Sequence, residues 1–248
     1  MLRSALVVIV ALLVTAFFSF SVVIFSFLTA AGTISRRIAR LWAKVLLFIS
    51  GIETEVIGAD NVLRDRPQIF MANHQSNFDI LIFLALMPVD FLWIAKKELF
   101  RVPLFGRAMK KAGYIGIDRQ DHEKALKSVD EAAEKLHQGL SIASFPEGRR
   151  SRDGALLPFK QGMFHLAIGT GVSIVPVSII GSGKIMAKKS LRVNRGKIIM
   201  VINKPVEVSG HTKETRTALM EEVRQSMAAG LTGQHDEEGD SGSVGGQR

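Results

Sequence analysis

Residues 68–79 of the 248-residue chain read QIFMANHQSNFD, and this short segment holds a complete strand-to-helix junction. Residues Gln68–Ala72 form a compact, mostly apolar run, which is typical of a strand buried on both faces of a sheet. A polar loop follows, and the apolar pattern that starts at Phe78 predicts a helix to Met87. A strand that passes directly into a helix is the repeating unit of α/β proteins.

The same alternation extends in both directions from this junction. Short apolar runs alternate with helical patterns, which predicts one α/β domain with a largely parallel mixed sheet flanked by helices. The other predicted strands are Thr54–Ile57, Phe91–Ala95, Tyr114–Ile117, Ser141–Ser144, Ile174–Ile179 and Lys197–Ile202. The other predicted helices of the domain are Phe105–Ala112, Glu123–Gln138, Gly162–Ile168 and Lys213–Met227.

The polar loop contains two groups with catalytic chemistry. His74 leaves the predicted strand, and Asp79 falls in the first turn of the predicted helix, where the helix dipole favours a carboxylate. Asn77 is placed to cap that helix. Positions five apart lie about 140° apart on one helix, so the two side chains meet only if His74 folds back from the loop. Such a pair matches the base and the orienting acid of a serine-hydrolase triad.

The nucleophile of such a triad is missing. The sequence has no cysteine and no G-x-S-x-G segment, so the nucleophile would be a substrate hydroxyl deprotonated by His74. Backbone N–H groups near Gly148 or at the helix start at Phe78 are candidate donors to an oxyanion. The alternative is a capping Asn77, a surface His74 and a first-turn Asp79 that share no function.

Basic residues follow other predicted strands at what should be the same edge of the sheet. Lys96 follows the strand that ends at Ala95, Arg119 follows Ile117, and Arg150 lies in the loop after Ser144. Arginine binds phosphate through paired hydrogen bonds, and lysine acts as a point charge. Glu147, in the same loop, is placed to fix a guanidinium or to accept a substrate hydroxyl. Together these loops predict an anion pocket beside His74, although each charge alone is also explained as a solvated loop residue.

The N-terminal 52 residues differ from this domain in composition. Residues 5–31 carry no charge, and a helix of that length covers about 40 Å, enough to cross a hydrocarbon core of about 30 Å. After Gly32, residues 34–52 interleave apolar and basic positions at helical spacing. We therefore expect a membrane-anchoring helix or two-helix motif over residues 1–52. A signal peptide, a second helix packed on the domain and a hairpin inserted in one leaflet remain alternatives.

Charge and composition narrow the function further. The chain carries a formal net charge of +9; residues 1–52 contribute +5 and the Gly/Ser/acid-rich segment 230–248 contributes −3, which leaves +7 for residues 53–229. We expect 53–229 to be a catalytic domain that folds at least partly without the N-terminus, and 230–248 to be a disordered tail. Four basic residues after the apolar run and one before it predict a cytoplasmic domain. A basic domain behind an anchor favours anionic headgroups or phosphorylated substrates over nucleic acid, for which no motif is present.

Four ordered motifs carry a resemblance to a known family. They are N-H-x4-D, G-x-x-x-I-D-R, F-P-E-G-x-R-S and V-P-V, and they occupy Asn73–Asp79, Gly113–Arg119, Phe145–Ser151 and Val175–Val177. In order and spacing they resemble the glycerolipid acyltransferases, most closely the membrane-bound 1-acyl-glycerol-3-phosphate acyltransferases. The resemblance covers about residues 50–210. Two positions depart from the family pattern: Gly116 replaces a common aromatic residue, and Arg149 replaces a common threonine.

The resemblance implies a role for each matching residue. His74 would be the general base on a glycerol hydroxyl, and Asp79 would orient it. Two arginines with a lysine would hold the phosphate of the acceptor, a Glu-Gly pair would shape the acceptor site, and the proline of V-P-V would line the acyl-donor side or support the site. These substrate-binding residues are Lys96, Arg119, Glu147, Gly148, Arg150 and Pro176.

The implied reaction moves a fatty acyl group from an acyl-CoA or acyl carrier protein thioester to the 2-hydroxyl of 1-acyl-glycerol 3-phosphate, giving phosphatidate for phospholipid synthesis. No metal and no cofactor beyond the thioester cosubstrate is expected. The partners would be the lysolipid, the donor and anionic membrane lipids, at the cytoplasmic face of the membrane. Another acceptor, such as glycerol 3-phosphate, another lysophospholipid or a lyso-aminolipid, and a non-catalytic lipid-binding protein are the alternatives.

Overall fold

The computed structural model describes residues 1–26 and 32–233 and confirms the α/β class. Its seven strands are Ile52–Ile57 (β1), Ile69–Ala72 (β2), Phe91–Lys96 (β3), Ile115–Ile117 (β4), Ser141–Ser144 (β5), Ile174–Ile180 (β6) and Gly196–Ile202 (β7). They form one sheet in the order β1-β7-β6-β2-β5-β3-β4. Every neighbouring pair is parallel except β6 with β7, so the sheet is largely parallel and mixed, as predicted.

The described helices precede, connect and follow these strands. They are Leu2–Phe25 (α1), Thr33–Ser50 (α2), Phe78–Leu86 (α3), Phe105–Lys111 (α4), His122–His137 (α5), Gly162–Thr170 (α6), Ser182–Ile185 (α7) and Arg216–Thr232 (α8). All seven predicted strands and the five predicted helices of the domain are confirmed, with ends shifted by a few residues. The short α7 was not predicted, because a single turn has no hydrophobic period to detect.

The sheet separates two apolar cores. Alternate residues of β2 point to opposite faces, so Phe70 joins the core beneath α2 and α3, while Ile69 and Met71 join the core beneath α5, α6 and α8. All three side chains are fully buried. This burial on both faces explains why the central strands read as continuous apolar runs rather than as alternating ones.

Helix α2 is part of the folded domain. Ala43, Leu46 and Leu47 are buried in the core that α2 shares with α3, and Arg36 and Arg40 both lie 3.4 Å from the carboxylate of Asp90. The opposite face of α2 exposes Arg37, Leu41, Lys44 and Phe48, so basic and apolar side chains alternate along it. The two sequence-based interpretations of this helix are therefore compatible, since one face packs on the domain and the other presents apolar and basic side chains to the surroundings.

Helix α1 packs side-on against α2 and α4. Its first turn is tied to the domain: the guanidinium of Arg3 donates to the carbonyls of Val193 (2.8 Å) and Ser50 (2.6 Å), and the backbone N–H of Val193 donates to the hydroxyl of Ser4. Most of its outer face is exposed and apolar, and within the described residues α1 is the one helix long and apolar enough to cross a membrane.

The C-terminal boundary differs from the prediction. Helix α8 continues through Gly230 to Thr232, so the predicted tail begins at least three residues too early, and residues 234–248 lie outside the described part of the chain. The prediction rested on the Gly/Ser/acid-rich composition of residues 230–248, which indicated a disordered tail. In the structure Gly230 is buried against Ser178 and Asn203, where a side chain would collide, so close packing compensates for its low helix propensity.

Candidate active site

The residue after β2 is locked to the neighbouring strand. The side-chain amide of Asn73 donates to the carbonyl of Ile179 (3.0 Å) and accepts from the backbone N–H of the same residue (2.6 Å). The amide thereby extends the contact between β2 and β6 while the backbone turns out of the sheet. His74 is consequently presented at the carboxyl edge of the parallel strands, where α/β proteins bind their ligands.

His74 and Asp79 form a hydrogen-bonded pair, as the sequence geometry required. Nδ1 of His74 lies 2.8 Å from Oδ2 of Asp79, and that oxygen also accepts the backbone N–H groups of Gln75 (2.6 Å) and Ser76 (2.7 Å). Asp79 is fully buried and 14% of the His74 side chain is exposed. Because a carboxylate accepts hydrogen bonds, Nδ1 carries the proton and Nε2 is left as the basic nitrogen. Within the described residues Nε2 has no hydrogen-bond partner.

The predicted helix cap at Asn77 is wrong. Asn77 already has helical backbone angles (φ −67°, ψ −22°) and makes no side-chain bond to the helix that follows. The N–H of Phe78 is instead accepted by the hydroxyl of Ser76 at 3.3 Å. The Asn77 amide oxygen accepts a hydrogen bond from the Arg150 guanidinium at 2.9 Å, which ties the loop after β5 to the start of α3.

An aromatic column supports the imidazole. The rings of His74 and Phe145 are stacked with centroids 3.9 Å apart and an interplanar angle of 9°, and Phe145 stacks in turn on Trp93 at 4.9 Å. The stack limits rotation of the imidazole, and an aromatic face favours the imidazolium that forms when the base takes a proton. Sequence reasoning missed this role, although Phe145 opens the F-P-E-G-x-R-S motif.

Glu147 acts on the catalytic loop through its backbone. The residue is 2% exposed; Oε1 accepts the backbone N–H of His74 at 2.8 Å, and Oε2 accepts that of Leu157 at 3.0 Å. Burial raises the pKa of Glu147 to about 7, although both N–H bonds act in the opposite direction. Both oxygens are therefore engaged by the protein, which favours a positioning role over the expected contact with an arginine or a substrate hydroxyl.

Two of the predicted phosphate ligands reach the rim of this site. The guanidinium of Arg119 donates to the carbonyl of Gly148, which brings the loop after β4 onto the loop after β5. Arg150 approaches from the same loop and contacts the start of α3. Lys96 is different: its ammonium lies 3.6 Å from Glu98, its side chain is 53% exposed, and it contacts neither arginine among the described residues. The neighbouring Lys97 is the one that pairs with Asp118, beside Arg119.

Pro176 lies inside the sheet. It is buried in β6, opposite Met71 of β2, and its carbonyl accepts the backbone N–H of Asn203 at 2.9 Å. This position favours support of the site, the second of the two roles suggested for it.

Gly116 is one of the two positions that depart from the family pattern. The ring of Phe100 lies 3.2 Å from where a side chain at Gly116 would begin, so an aromatic group from elsewhere in the chain fills the space.

Both proposed oxyanion donors are already in use. The N–H of Gly148 donates to the carbonyl of Phe145 at 3.0 Å, and the N–H of Phe78 donates to Ser76. In this conformation each of these two N–H groups would have to leave its present acceptor in order to bind an oxyanion. Glycine in the left-handed conformation at 148 (φ 69°) produces the tight turn that closes the first of these bonds.

Comparisons with known proteins agree with this geometry. The family described as Acyltransferase matches residues 53–180. A chloroplast 1-acyl-sn-glycerol-3-phosphate acyltransferase of Brassica napus is 36% identical over 171 residues, which cover 68% of this chain and 49% of the relative. The human 1-acyl-sn-glycerol-3-phosphate acyltransferase alpha is 35% identical over 192 residues, covering 77% of this chain and 68% of the relative. The chain thus spans about half the length of the plant relative and two thirds of the human one.

A solved structure extends the likeness to nearly the whole chain. The crystal structure of the 1-acyl-sn-glycerophosphate acyltransferase PlsC from Thermotoga maritima aligns with a TM-score of 0.80 at 28% sequence identity. The alignment covers 94% of this chain and 95% of that one, so it includes most of the N-terminal helices as well as the sheet. From the family match, the identities and this shared architecture, the chain belongs to the acyltransferase family.

Proposed function

We propose that the protein transfers a fatty acyl group from a thioester to the 2-hydroxyl of 1-acyl-sn-glycerol 3-phosphate, forming phosphatidate. The observation that carries the proposal is the His74–Asp79 pair at the carboxyl edge of the sheet, beside Arg119 and Arg150. The relatives named above, which bear this activity in their names, support the choice of acceptor. A protein that only bound lipid would not need a buried carboxylate to orient a histidine.

The geometry supports a direct transfer from donor to acceptor without a covalent enzyme intermediate. Nε2 of His74 takes the proton of the acceptor hydroxyl while the oxygen attacks the thioester carbonyl. The carbon–sulfur bond of the tetrahedral intermediate then breaks, and the imidazolium returns its proton to the leaving thiolate. Asp79 stabilises the imidazolium between these events, and the Phe145 ring holds it in plane.

The phosphate of the acceptor is assigned to the side of the site that faces β4. Arg119 lies against Gly148 there, and its guanidinium is a suitable bidentate partner for a phosphate. Glu147 and Gly148 form the turn between this arginine and His74. Lys96 lies apart from the cluster among the described residues, so we give it at most a long-range electrostatic part.

We propose that the outer faces of α1 and α2 contact the membrane. Because α1 packs along the domain and is tied to it at Arg3, the helix and the domain present one continuous surface to a bilayer. The exposed Leu41 and Phe48 of α2, which alternate with Arg37 and Lys44, fit a membrane interface with anionic lipid. We propose that this surface enters the cytoplasmic leaflet, which keeps both substrates within reach of the site.

The test is an acyl-transfer assay with a panel of acceptors and both donor types. The wild-type protein should prefer 1-acyl-glycerol 3-phosphate over glycerol 3-phosphate, lyso-aminolipids and lysophospholipids without a free phosphate. His74→Ala should lower kcat by about 10²–10⁴, the usual contribution of general-base catalysis. His137→Ala, at an exposed histidine on α5, is the matched control and should leave kcat unchanged.

A second variant tests the phosphate assignment. Arg119→Ala should raise the KM for the phosphorylated acceptor roughly tenfold or more and change the KM for the donor little, since one charge-assisted contact is lost. Near-normal turnover in a folded His74→Ala protein would refute the base. A rise in the donor KM alone in Arg119→Ala would show that the phosphate site belongs to the other substrate.

A further inference from the structure

A basic cavity lies next to the catalytic loop, on the side away from Arg119. It is a space of about 390 Å³ between the end of β6, the turn Ser151–Gly154 and α7, and we call it the β6 pocket. Cavities of this size hold small-molecule ligands. His74 follows β2. In the sheet, β6 lies on one side of β2, and β5, β3 and β4 lie on its other side. The β6 pocket and Arg119 therefore flank His74 from opposite directions.

The pocket is joined to the catalytic base by Gln75, the residue that follows His74. Its side-chain amide donates to the carbonyl of Gly154 at 3.3 Å, and its Oε1 lies 3.0 Å from where a side chain at Gly183 would begin. The two glycines leave the space in which Gln75 sits, and Gln75 in turn lines the cavity. The β6 pocket thus borders the loop that carries His74.

The walls carry cations whose charges are not neutralised. Arg152, Lys184 and Lys188 line the pocket, and none of them forms an ion pair among the described residues. The ammonium of Lys188 donates to the carbonyl of Arg150 at 2.7 Å. Partial burial lowers the pKa of Lys188, and the neighbouring guanidinium of Arg152 lowers it further, as expected where like charges gather without a counterion.

The one acidic residue in the lining offsets only part of these three positive charges. Asp153 turns its carboxylate back on its own loop: Oδ1 accepts the hydroxyl of Ser151 at 2.9 Å and the backbone N–H of Ala155 at 3.1 Å. These hydrogen bonds hold the pKa of Asp153 below its usual range. The cavity therefore has a net positive lining and an opening to solvent, which are the properties of a site for a phosphorylated ligand.

The reaction has two phosphorylated substrates that must meet at one nitrogen. The acceptor carries its phosphate on the glycerol, and the donor carries phosphate at the far end of the pantetheine arm, away from the thioester. Two anions repel each other, so they are best held on opposite sides of the base. We infer that the β6 pocket binds the phosphate end of the donor's pantetheine carrier, an inference that rests on the acyl-transfer function proposed above and on the acceptor phosphate lying beside Arg119.

The experiment compares donors with and without phosphate in the full-length protein. The variant Arg152→Ala/Lys184→Ala removes two exposed cations whose side chains form no hydrogen bond or ion pair among the described residues. The control Lys127→Ala/Lys213→Ala removes two exposed lysines elsewhere. The ratio of kcat/KM for acyl-CoA to that for the phosphate-free acyl-N-acetylcysteamine should fall about tenfold or more in the pocket variant and stay constant in the control. The KM for the acceptor should stay constant in both.

Equilibrium binding of the product thiol separates this inference from the function itself. Free CoA should bind the pocket variant about tenfold more weakly than the wild type, whether or not the protein turns over any acceptor. Competition by phosphopantetheine as strong as that by CoA would assign the site to the phosphate that CoA shares with acyl carrier protein, and weaker competition would assign it to the additional phosphates of CoA. Unchanged CoA affinity, or a rise in acceptor KM alone, would overturn the inference; an inactive wild type that still binds CoA through these residues would overturn only the acyl-transfer function.

Discussion

The substitution Asp79→Asn removes the negative charge beside His74 and leaves the shape of the side chain almost unchanged. In the native site one carboxylate oxygen accepts three hydrogen bonds, from His74, Gln75 and Ser76. The other oxygen is buried and has no hydrogen-bond partner in the part of the chain that the structure describes. An asparagine of the same shape preserves the three bonds only if its oxygen replaces Oδ2. Its amide nitrogen then takes the position of the Asp79 oxygen that has no partner, where its two N–H groups find no acceptor among the described residues.

The expected losses of stability and of kcat in the Asp79→Asn variant follow from these contacts. Three hydrogen bonds to a charged acceptor become bonds to a neutral one, at a loss of about 1 kcal/mol each, and the buried unpaired amide adds roughly 1–3 kcal/mol to the destabilisation. The imidazolium loses its counterion, so the transition state should rise by about 3 kcal/mol, which lowers kcat roughly a hundredfold. The KM for the acceptor should change little, because Asp79 is buried and does not touch substrate.

The assay can follow thiol release from acyl-CoA directly. The chain has no cysteine, so a thiol reagent reads the product without a background from the protein. Asp60→Asn, at an exposed aspartate of a short 3₁₀ turn, is the matched control for the change in charge. An Asp79→Asn protein that is folded and retains kcat within threefold of the wild type would refute the argument that this carboxylate stabilises the imidazolium.

Three further predictions concern the supports of the site. Phe145→Leu should lower kcat about two- to tenfold, the value of one aromatic stack, whereas Phe159→Leu in the opposite core should affect only thermal stability. Glu147 binds its proton more tightly in the folded protein, so its contribution to stability is fully present below about pH 4.5 and is lost as the pH rises to about 7. The stability advantage of the wild type over Glu147→Gln, measured by thermal denaturation in detergent, should therefore shrink across that window, and a growing advantage would contradict the raised pKa. Deleting residues 1–52 should yield aggregated protein, contrary to the expectation from the sequence that residues 53–229 fold at least partly alone. Removal of Leu46 and Leu47 alone takes away roughly 3–6 kcal/mol of burial from a fold whose total stability is about 5–15 kcal/mol. Deletion of residues 1–31, which keeps α2, should yield folded protein that sediments less with vesicles, and equal solubility of the two truncations would argue against a structural role for α2.

Local patterns predicted what depends on local forces. The central strands were identifiable because burial on both faces demands an unbroken apolar run, as in β2 and β6. The His74–Asp79 pair was identifiable because its geometry is set within five residues by one loop and one helix start. The sheet order was not identifiable from pattern alone, and neither was any property that depends on it.

The contacts that hold His74 in place depend on the sheet order and could not be identified from the sequence pattern. The clamp between Asn73 and Ile179 joins residues 106 apart in sequence, and the bond from Glu147 to the His74 backbone joins residues 73 apart. Only the folded sheet brings them together. For the same reason the sequence assigned Glu147 to the substrate: a carboxylate among arginines in a loop suggests a surface ion pair until the structure shows it buried against backbone N–H groups.

The bonds between α1 and Val193 have a consequence for the order of events during synthesis. Arg3 and Ser4 are made before their partner Val193, which follows about 190 residues later. At the usual rates of about 5–20 residues per second, the partner is completed roughly 10–40 s after the helix has been made. An apolar helix cannot remain exposed to water for that time without cost, and a bilayer is the surface available to cover it. We therefore expect α1 to reach the membrane before the sheet exists, so that the catalytic domain is assembled on a helix that is already in place.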